Sequence, residues 1–397
     1  MDNNRAPRRI NPARYRAYRK KIWIRRGIIA GFILTAALLI FGIVKGGQAL
    51  VRFISERQAA QREVIEPEQE VTSVVALPEE PVEEEKTISP EVEMFFDGYE
   101  VRYTDRFSQL VSEEVLSNYA VLIDVETGEI IAGRGEDTVI NPASMTKILT
   151  LLTAVEMLEE QKEEGKTMED VLAEQVVIDA EIVDYTYQKG CSQAGFMPEE
   201  VVTVEDLLYG TILPSGGDAA MSLAAYVAGD EETFAAKMNE KIAELGLSET
   251  SHFTNSVGLY DENHHCTITD MAMMLKAALE NDLCREVLST RIYTTSSSEI
   301  HPEGIEISNW FIRRIEDKDN HGVVKSAKTG YVQEAGCCAA SYQISDDGGH
   351  HICVTADAWS SWRAIYDHVA VYQLYTGENA GELNRGNSYE TDITQEG

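Results

Sequence analysis

The sequence predicts an α+β domain: an antiparallel sheet built from both ends of the folded body, flanking helices, and an inserted helical lobe. Three observations predict it. Strand-like apolar runs cluster near residues 119–132 and again near 336–358. Between them, apolar side chains recur mostly at helical spacing. A long acidic stretch with several prolines precedes the first strand, so the body begins late in the chain.

Ahead of the body, residues 1–26 hold ten Lys/Arg against one acid, Asp2. The whole chain carries a net charge of −33, which leaves −42 on the remainder. A body so acidic repels phosphates, and this argues against nucleic acid as a partner. Residues 27–44, GIIAGFILTAALLIFGIV, form an uncharged run of 18 closed by Lys45. That is about the minimum for a helix to span a bilayer. The basic head favours a cytoplasmic N-terminus. The expectation is therefore a single-pass signal anchor over 27–45, with the body extracytoplasmic at the cell membrane. A cleaved signal peptide, cut near Gly47-Gln48-Ala49, is the alternative and leaves the body on the same side. Residues 46–94 read as a stalk. Between Ser55 and Glu93 stand twelve Glu, three Lys/Arg, and Pro67, Pro78, Pro81 and Pro90. Repelling charges and prolines keep such a segment extended and without a core.

The body is expected over residues 95–376, opening near Phe95. Residues 119–124 and 130–132 form a hairpin around Glu126-Thr127-Gly128-Glu129. From 144 to 161 the pattern turns helical, with Ile148, Leu151, Leu152, Val155 and Leu158 on one stripe. Residues 203–213, 219–227 and 271–279 read as further helices. Phe234, Met238, Ile242 and Leu245 mark another, which Gly246 stops. Residues 336–344 and 352–358 are strands joined by Ser345-Asp346-Asp347-Gly348-Gly349. Residues 362–374 close the body as a helix, and the acidic residues 377–397 are expected to be disordered.

The six cysteines are Cys191, Cys266, Cys284, Cys337, Cys338 and Cys353. Outside the cytoplasm they permit disulfides without fixing a pairing. His264-His265-Cys266 and His350-His351-Ile352-Cys353 invite a metal reading, but neither has the paired spacing of a structural zinc site. Solvated histidines beside buried thiols are expected instead, with no metal.

Three short patterns carry chemistry. In Ser144-Met145-Thr146-Lys147, positions i and i+3 share one helix face, which sets a nucleophile beside an amine. Desolvation or a nearby cation would make that amine neutral and able to act as base. Ser215 lies in the loop LPSGGDAA between two helices. Lys328-Thr329-Gly330 lies just before the C-terminal strand pair, where Lys and Thr can hold a carboxylate and Gly lets the backbone approach a bound peptide.

Together, in this order and spacing, the three resemble the S-x-x-K, S-x-N and K-T-G motifs of the penicillin-binding protein and serine β-lactamase superfamily. The resemblance is strongest to its low-molecular-weight D-alanyl-D-alanine carboxypeptidases. AVLIDVETGEIIAGR followed by NPASMTKILT is similar to that family's opening strands and nucleophile helix. Asn255-Ser256-Val257-Gly258-Leu259, then His265-Cys266-Thr267 and Thr269-Asp270-Met271-Ala272, resemble the stretch ahead of its third motif. The similarity runs over about residues 115–375. It implies a β-lactamase/transpeptidase-like fold and a serine D-Ala-D-Ala carboxypeptidase. The substrate would be a peptidoglycan stem peptide, β-lactams would inhibit, and no cofactor is required. By the same resemblance Ser144 would be the acylated nucleophile, Lys147 its general base, and Ser215 a proton relay to the leaving amine. Lys328 and Thr329 would hold the terminal carboxylate, Gly330 completing the motif, with Lys328 also helping to keep Lys147 neutral. The backbone N–H groups of Ser144 and Tyr331 would form the oxyanion hole.

One departure stands out. The second motif ends in Gly217, where the family has an Asn that contacts the substrate amide and the lysine base. The missing side chain is expected to weaken substrate positioning without abolishing acylation, and Gly217→Asn to raise turnover. Water or Asp218 would fill the gap, but the favoured reading of Asp218 is a cap on the next helix. The residues after the closing helix are too few for the C-terminal β domain and amphipathic anchor of many relatives, so anchoring is expected at the N-terminus. Two rival readings remain. One is a weakly active or inactive penicillin-binding, wall-binding protein. The other is a serine β-lactamase, whose commonest class adds a Glu-x-x-x-Asn loop; no such loop is expected between Ser215 and Lys328.

Overall fold

The computed structural model describes residues 94–111, 113–162 and 165–384. The expected basic head, membrane span and nearly all of the stalk lie outside the described residues, as do residues 385–397. No helix among the described residues is long and apolar enough to cross a membrane.

Six strands form the central sheet: β1 (Ser108–Gln109), β2 (Tyr119–Asp124), β3 (Glu129–Arg134), β4 (Gly322–Val332), β5 (Gly336–Ser345) and β6 (His350–Ala358). Their order is β1-β3-β2-β6-β5-β4. Every pairing is antiparallel except β1 with β3. The two ends of the body thus meet in mid-sheet, where Val354 of β6 stands opposite Val121 of β2. Side chains alternate across the pleat. Val121, Ile123, Ile352 and Val354 enter one apolar cluster, while Ala120, Leu122 and Cys353 enter another. Alternation between two apolar clusters means that both faces of the sheet are covered.

The longer helices are α1 (Thr146–Gln161), α2 (Ala180–Gln188), α3 (Val204–Ile212), α4 (Gly217–Ala228), α5 (Glu231–Glu244), α6 (Ile268–Glu280), α7 (Asp282–Ser289) and α8 (Ser361–Tyr375). α1 buries residues on every side through its first ten positions, which makes it the lobe's central rod. α8 covers the opposite face with Ile365, Val369 and Tyr372. Side-chain caps start α3 and α6. Thr203 with Asp206, and Thr267 with Asp270, each form a reciprocal capping box.

The structure corrects several expectations. Lys328-Thr329-Gly330 does not precede the strand pair but lies inside β4, an 11-residue outer strand. A bulge between Val324 and Ser326 breaks the period-two pattern that would have marked it. Helix α2 escaped notice because only Thr186 of its side chains is buried and its apolar contact is confined to half-buried residues such as Val183. Residues 377–384, expected to be disordered, are pinned to the body. The Gly381 N–H donates to Gln373 O at 2.8 Å, and Asn384 Nδ2 donates to Asp319 Oδ2 at 2.9 Å. His264, His350 and His351 are buried rather than solvated. Polar neighbours satisfy the first two: His264 Nε2 lies 2.8 Å from Thr146 Oγ1, and His350 Nδ1 lies 2.5 Å from the Tyr342 hydroxyl.

Candidate active site

The turn before α1 delivers the nucleophile. Ala143 takes a left-handed φ of +48° and opens a 3-10 turn over Ala143–Met145, so Ser144 stands half-buried at the helix entrance. Asn141 braces this turn. Its Oδ1 accepts from the Ala143 N–H at 3.0 Å, and its Nδ2 donates to His264 O at 2.9 Å. Two glycines let neighbouring backbone close on the same turn. A Cβ on Gly258 would lie 1.9 Å from Ala143 O, and one on Gly330 would lie 3.0 Å from Ser144 N.

One turn along α1, Lys147 Nζ donates to Ser144 Oγ at 3.0 Å and to Val257 O at 2.7 Å. The segment bearing that carbonyl is itself held. Glu231, at the start of α5, accepts from the Ser256 N–H at 2.6 Å and from the Ser256 hydroxyl at 2.8 Å. Burial lowers the Lys147 amine to about 8, against the opposing pull of Cys191, Asp218 and Glu231. The amine is therefore closer to giving up its proton than an exposed lysine.

Facing this pair is a second one. Ser215 sits between α3 and α4 with φ of +62°, and its Oγ accepts from Lys328 Nζ at 2.7 Å. Lys328 comes from β4 and is fully buried. Burial, followed by the positive charge of Lys147, pushes it well below the usual amine range. Burial is the leading cause at both amines. Thr329, Gly330 and Tyr331 continue the wall along β4, with the Tyr331 side chain largely exposed. A cavity of about 750 Å³ is lined by Ser144, Lys147, Ser215, Thr329, Gly330 and Tyr331, with Lys328 buried behind Ser215. All three expected motifs therefore converge on one place.

Gly217 and Asp218 are placed differently from expectation. Asp218 is neither a simple cap nor a pocket group. Its carboxylate is buried and accepts the N–H groups of Ala194, Gly195 and Phe196 at 2.7, 3.0 and 3.2 Å. It thereby fastens the loop after α2 onto α4. That loop carries Cys191 into the cavity wall. A Cβ on Gly217 would stand 2.8 Å from Cys191 Cβ, so Gly217→Asn meets a filled space and is not a simple restoration. Sequence reasoning missed Cys191 and Glu231. No periodic pattern or motif marks either, and the gap at Gly217 is the one trace of the first. A Glu-x-x-x-Asn spacing does occur, at Glu316 and Asn320. It lies apart from the cavity lining: Glu316 pairs with Arg291, and Asn320 Nδ2 donates to Lys318 O at 3.2 Å.

A sheet with a helix on one face, a helical lobe on the other, and a serine–lysine turn facing an outer strand defines the DD-peptidase and transpeptidase fold. The solved DD-transpeptidase of Streptomyces K15 matches with a TM-score of 0.56 at 24% identity, over 65% of this chain and 97% of that one. A D-alanyl-D-alanine carboxypeptidase structure from Mycobacterium tuberculosis matches at 0.54 and 22% identity, over 67% and 94%. The family profile of D-alanyl-D-alanine carboxypeptidases, peptidase family S11, matches residues 106–359, and the chain belongs to that family. Among curated relatives, the D-alanyl-D-alanine carboxypeptidase DacF of Bacillus subtilis is 33% identical over 233 residues, 59% of this chain and 54% of that protein. DacC of Escherichia coli is 33% identical over 163 residues, 41% of this chain and 39% of that protein. The matches thus span about half of these relatives' length or less.

Proposed function

We propose that the body is a serine D-Ala-D-Ala carboxypeptidase that trims peptidoglycan stem peptides through an acyl-enzyme on Ser144, and that β-lactams trap it there. The observation that carries this is the Lys147 amine 3.0 Å from Ser144 Oγ, in surroundings that lower it to about 8. A neutral amine in that position takes the hydroxyl proton as Oγ attacks the penultimate D-Ala carbonyl. The backbone N–H groups of Ser144 and Tyr331 receive the developing oxyanion. Ser215, bonded to Lys328, returns a proton to the leaving amine, and D-Ala departs. Water activated by Lys147 then attacks the acyl carbon and frees Ser144. Lys328 and Thr329 hold the substrate's terminal carboxylate during these steps. Residues 27–45 anchor the protein in the cell membrane with the N-terminus cytoplasmic, and residues 46–94 carry the body toward the wall; the apolar run and its basic flank support this.

Fluorescent penicillin should label the full-length protein and fail to label Ser144→Ala. The wild type should release D-Ala from a pentapeptide ending in D-Ala-D-Ala. Labelling without release would leave a wall-binding protein, and the absence of both would end the enzyme assignment. Protease added outside intact cells should digest the body; full protection would refute the membrane orientation.

A further inference from the structure

We propose that Cys191 supplies the side chain that the Ser215-Gly216-Gly217 turn lacks, its thiol positioning Lys147 and the bound peptide; this rests on the carboxypeptidase assignment above. Gly217 opens α4 facing the loop after α2. A Cβ built on it would stand 2.8 Å from Cys191 Cβ and 3.3 Å from Cys191 Sγ. The space for a side chain at 217 is thus filled from another part of the chain. Cys191 also lines the cavity with Ser144, Lys147 and Ser215. Of the six cysteines it alone is not buried.

The loop is built to hold it there. Besides the three N–H groups taken by Asp218, the Gly217 N–H donates to Ser192 O at 2.7 Å, and the Cys191 N–H donates to Thr186 O at 3.0 Å. Gln193 Nε2 donates to Cys191 O at 3.0 Å. The first turn of α4 therefore both lacks a side chain and clamps the loop that brings one. Side chains at 217 and 191 are alternatives, because both cannot occupy the same volume. A thiol is small and polarizable, and a weak donor and acceptor. Burial, chiefly, raises the Cys191 thiol above its ordinary value, although the Lys147 charge opposes this. A neutral thiol suits a lysine that must lose its proton, whereas a thiolate would hold Lys147 in its charged form.

A double-mutant cycle on the full-length protein tests this, reading penicillin acylation and the kcat and KM of D-Ala release. Gly217→Asn alone should slow acylation about tenfold or more, Cys191→Gly alone roughly three- to tenfold, and the pair should recover to within about threefold of wild type. Cys191→Ser should regain in kcat what Cys191→Ala loses, which a purely space-filling role would not give. If Gly217→Asn does not fold, the wild type carries the test with methyl methanethiosulfonate. The Cys191 thiolate attacks the reagent's sulfenyl sulfur, an S–S bond forms, and methanesulfinate leaves. Acylation should then drop about tenfold and return with dithiothreitol, and bound penicillin should protect Cys191. Additive effects in the cycle, or full acylation of the modified protein, overturn the proposal alone. A wild type that neither takes penicillin nor releases D-Ala overturns it together with the carboxypeptidase assignment.

Discussion

The site contains two hydroxyl–amine pairs assembled in opposite ways. Ser144 and Lys147 are three residues apart, and a helix start alone brings i and i+3 onto one face; Asn141 and the Val257 carbonyl then steady the two ends. Ser215 and Lys328 are 113 residues apart and meet at 2.7 Å only because the α3–α4 turn faces the outer strand β4. Both turns carry a left-handed residue, but at different points. Ala143 (φ +48°) precedes the nucleophile, while Ser215 (φ +62°) bears the hydroxyl itself. The local pair takes its geometry from the helix and its basicity from burial. The distant pair takes both from the docking of lobe on sheet. Damage to that docking should therefore disturb Ser215 and Lys328 before it disturbs the spacing of Ser144 and Lys147.

The largest expected effect sharpens the division of labour. Lys147→Ala should slow penicillin acylation and D-Ala release by about 10²–10⁴-fold in kcat, the usual worth of a positioned general base. Lys328→Ala should act more through KM, as loss of a carboxylate anchor does. Equal losses in kcat with unchanged KM for both variants would erase the distinction drawn here.

Asp218→Ala comes next and attacks the distant pair through its scaffold. It removes the acceptor of three loop N–H groups and of the Ala219 N–H. Leaving buried donors unpaired costs about 1–3 kcal/mol each before relaxation, so thermal melting should fall by several degrees. A melting temperature unchanged within a degree would mean that the loop holds without this carboxylate.

The pH dependence has a smaller effect per unit. Lys147 acts as base only when neutral, so acylation should fall about tenfold for each pH unit below roughly 8 and level off above it. Glu231 and Asp218 are negative and raise the Lys147 value, as does a thiolate at Cys191. Glu231→Gln removes one of these charges and should move the midpoint down. An upward shift would show that Glu231 acts through the Ser256 segment rather than through its charge.

The same contrast explains what could be read from the sequence. Ser144, Lys147, Ser215 and Lys328 were legible because residue type and order mark them even where the fold, not the spacing, brings them together. The sheet's central hairpin and the helices with apolar stripes were legible through their periods. β4 was not, since its bulge and buried polar residues blur the alternation. Glu231 looks like an ordinary acid in a helix's first turn, and its bond to Ser256, 25 residues on, leaves no mark in either stretch. At Gly217 the gap was visible and its filler was not. Cys191 reaches it through a loop clamp, the Asp218 carboxylate on three N–H groups and the Gly217 N–H on Ser192 O, that spans more than 20 residues and leaves no local pattern.

The smallest expected effect separates strain from chemistry at Ser215. Ser215→Ala removes the hydroxyl and keeps the steric cost of the left-handed backbone; Ser215→Gly removes both the hydroxyl and that cost. A left-handed conformation costs an ordinary residue about 1–2 kcal/mol, and the extra freedom of an unfolded glycine takes back about 0.5–1 kcal/mol. Ser215→Gly should therefore melt within about 1 kcal/mol of wild type and no lower than Ser215→Ala. D-Ala release should fall equally in both, because each leaves Lys328 without its hydroxyl partner. A deeper loss of kcat in the glycine variant would mean that the strained backbone itself helps to aim Lys328. The distant pair would then resemble the local one, with a rigid turn setting the position of its amine.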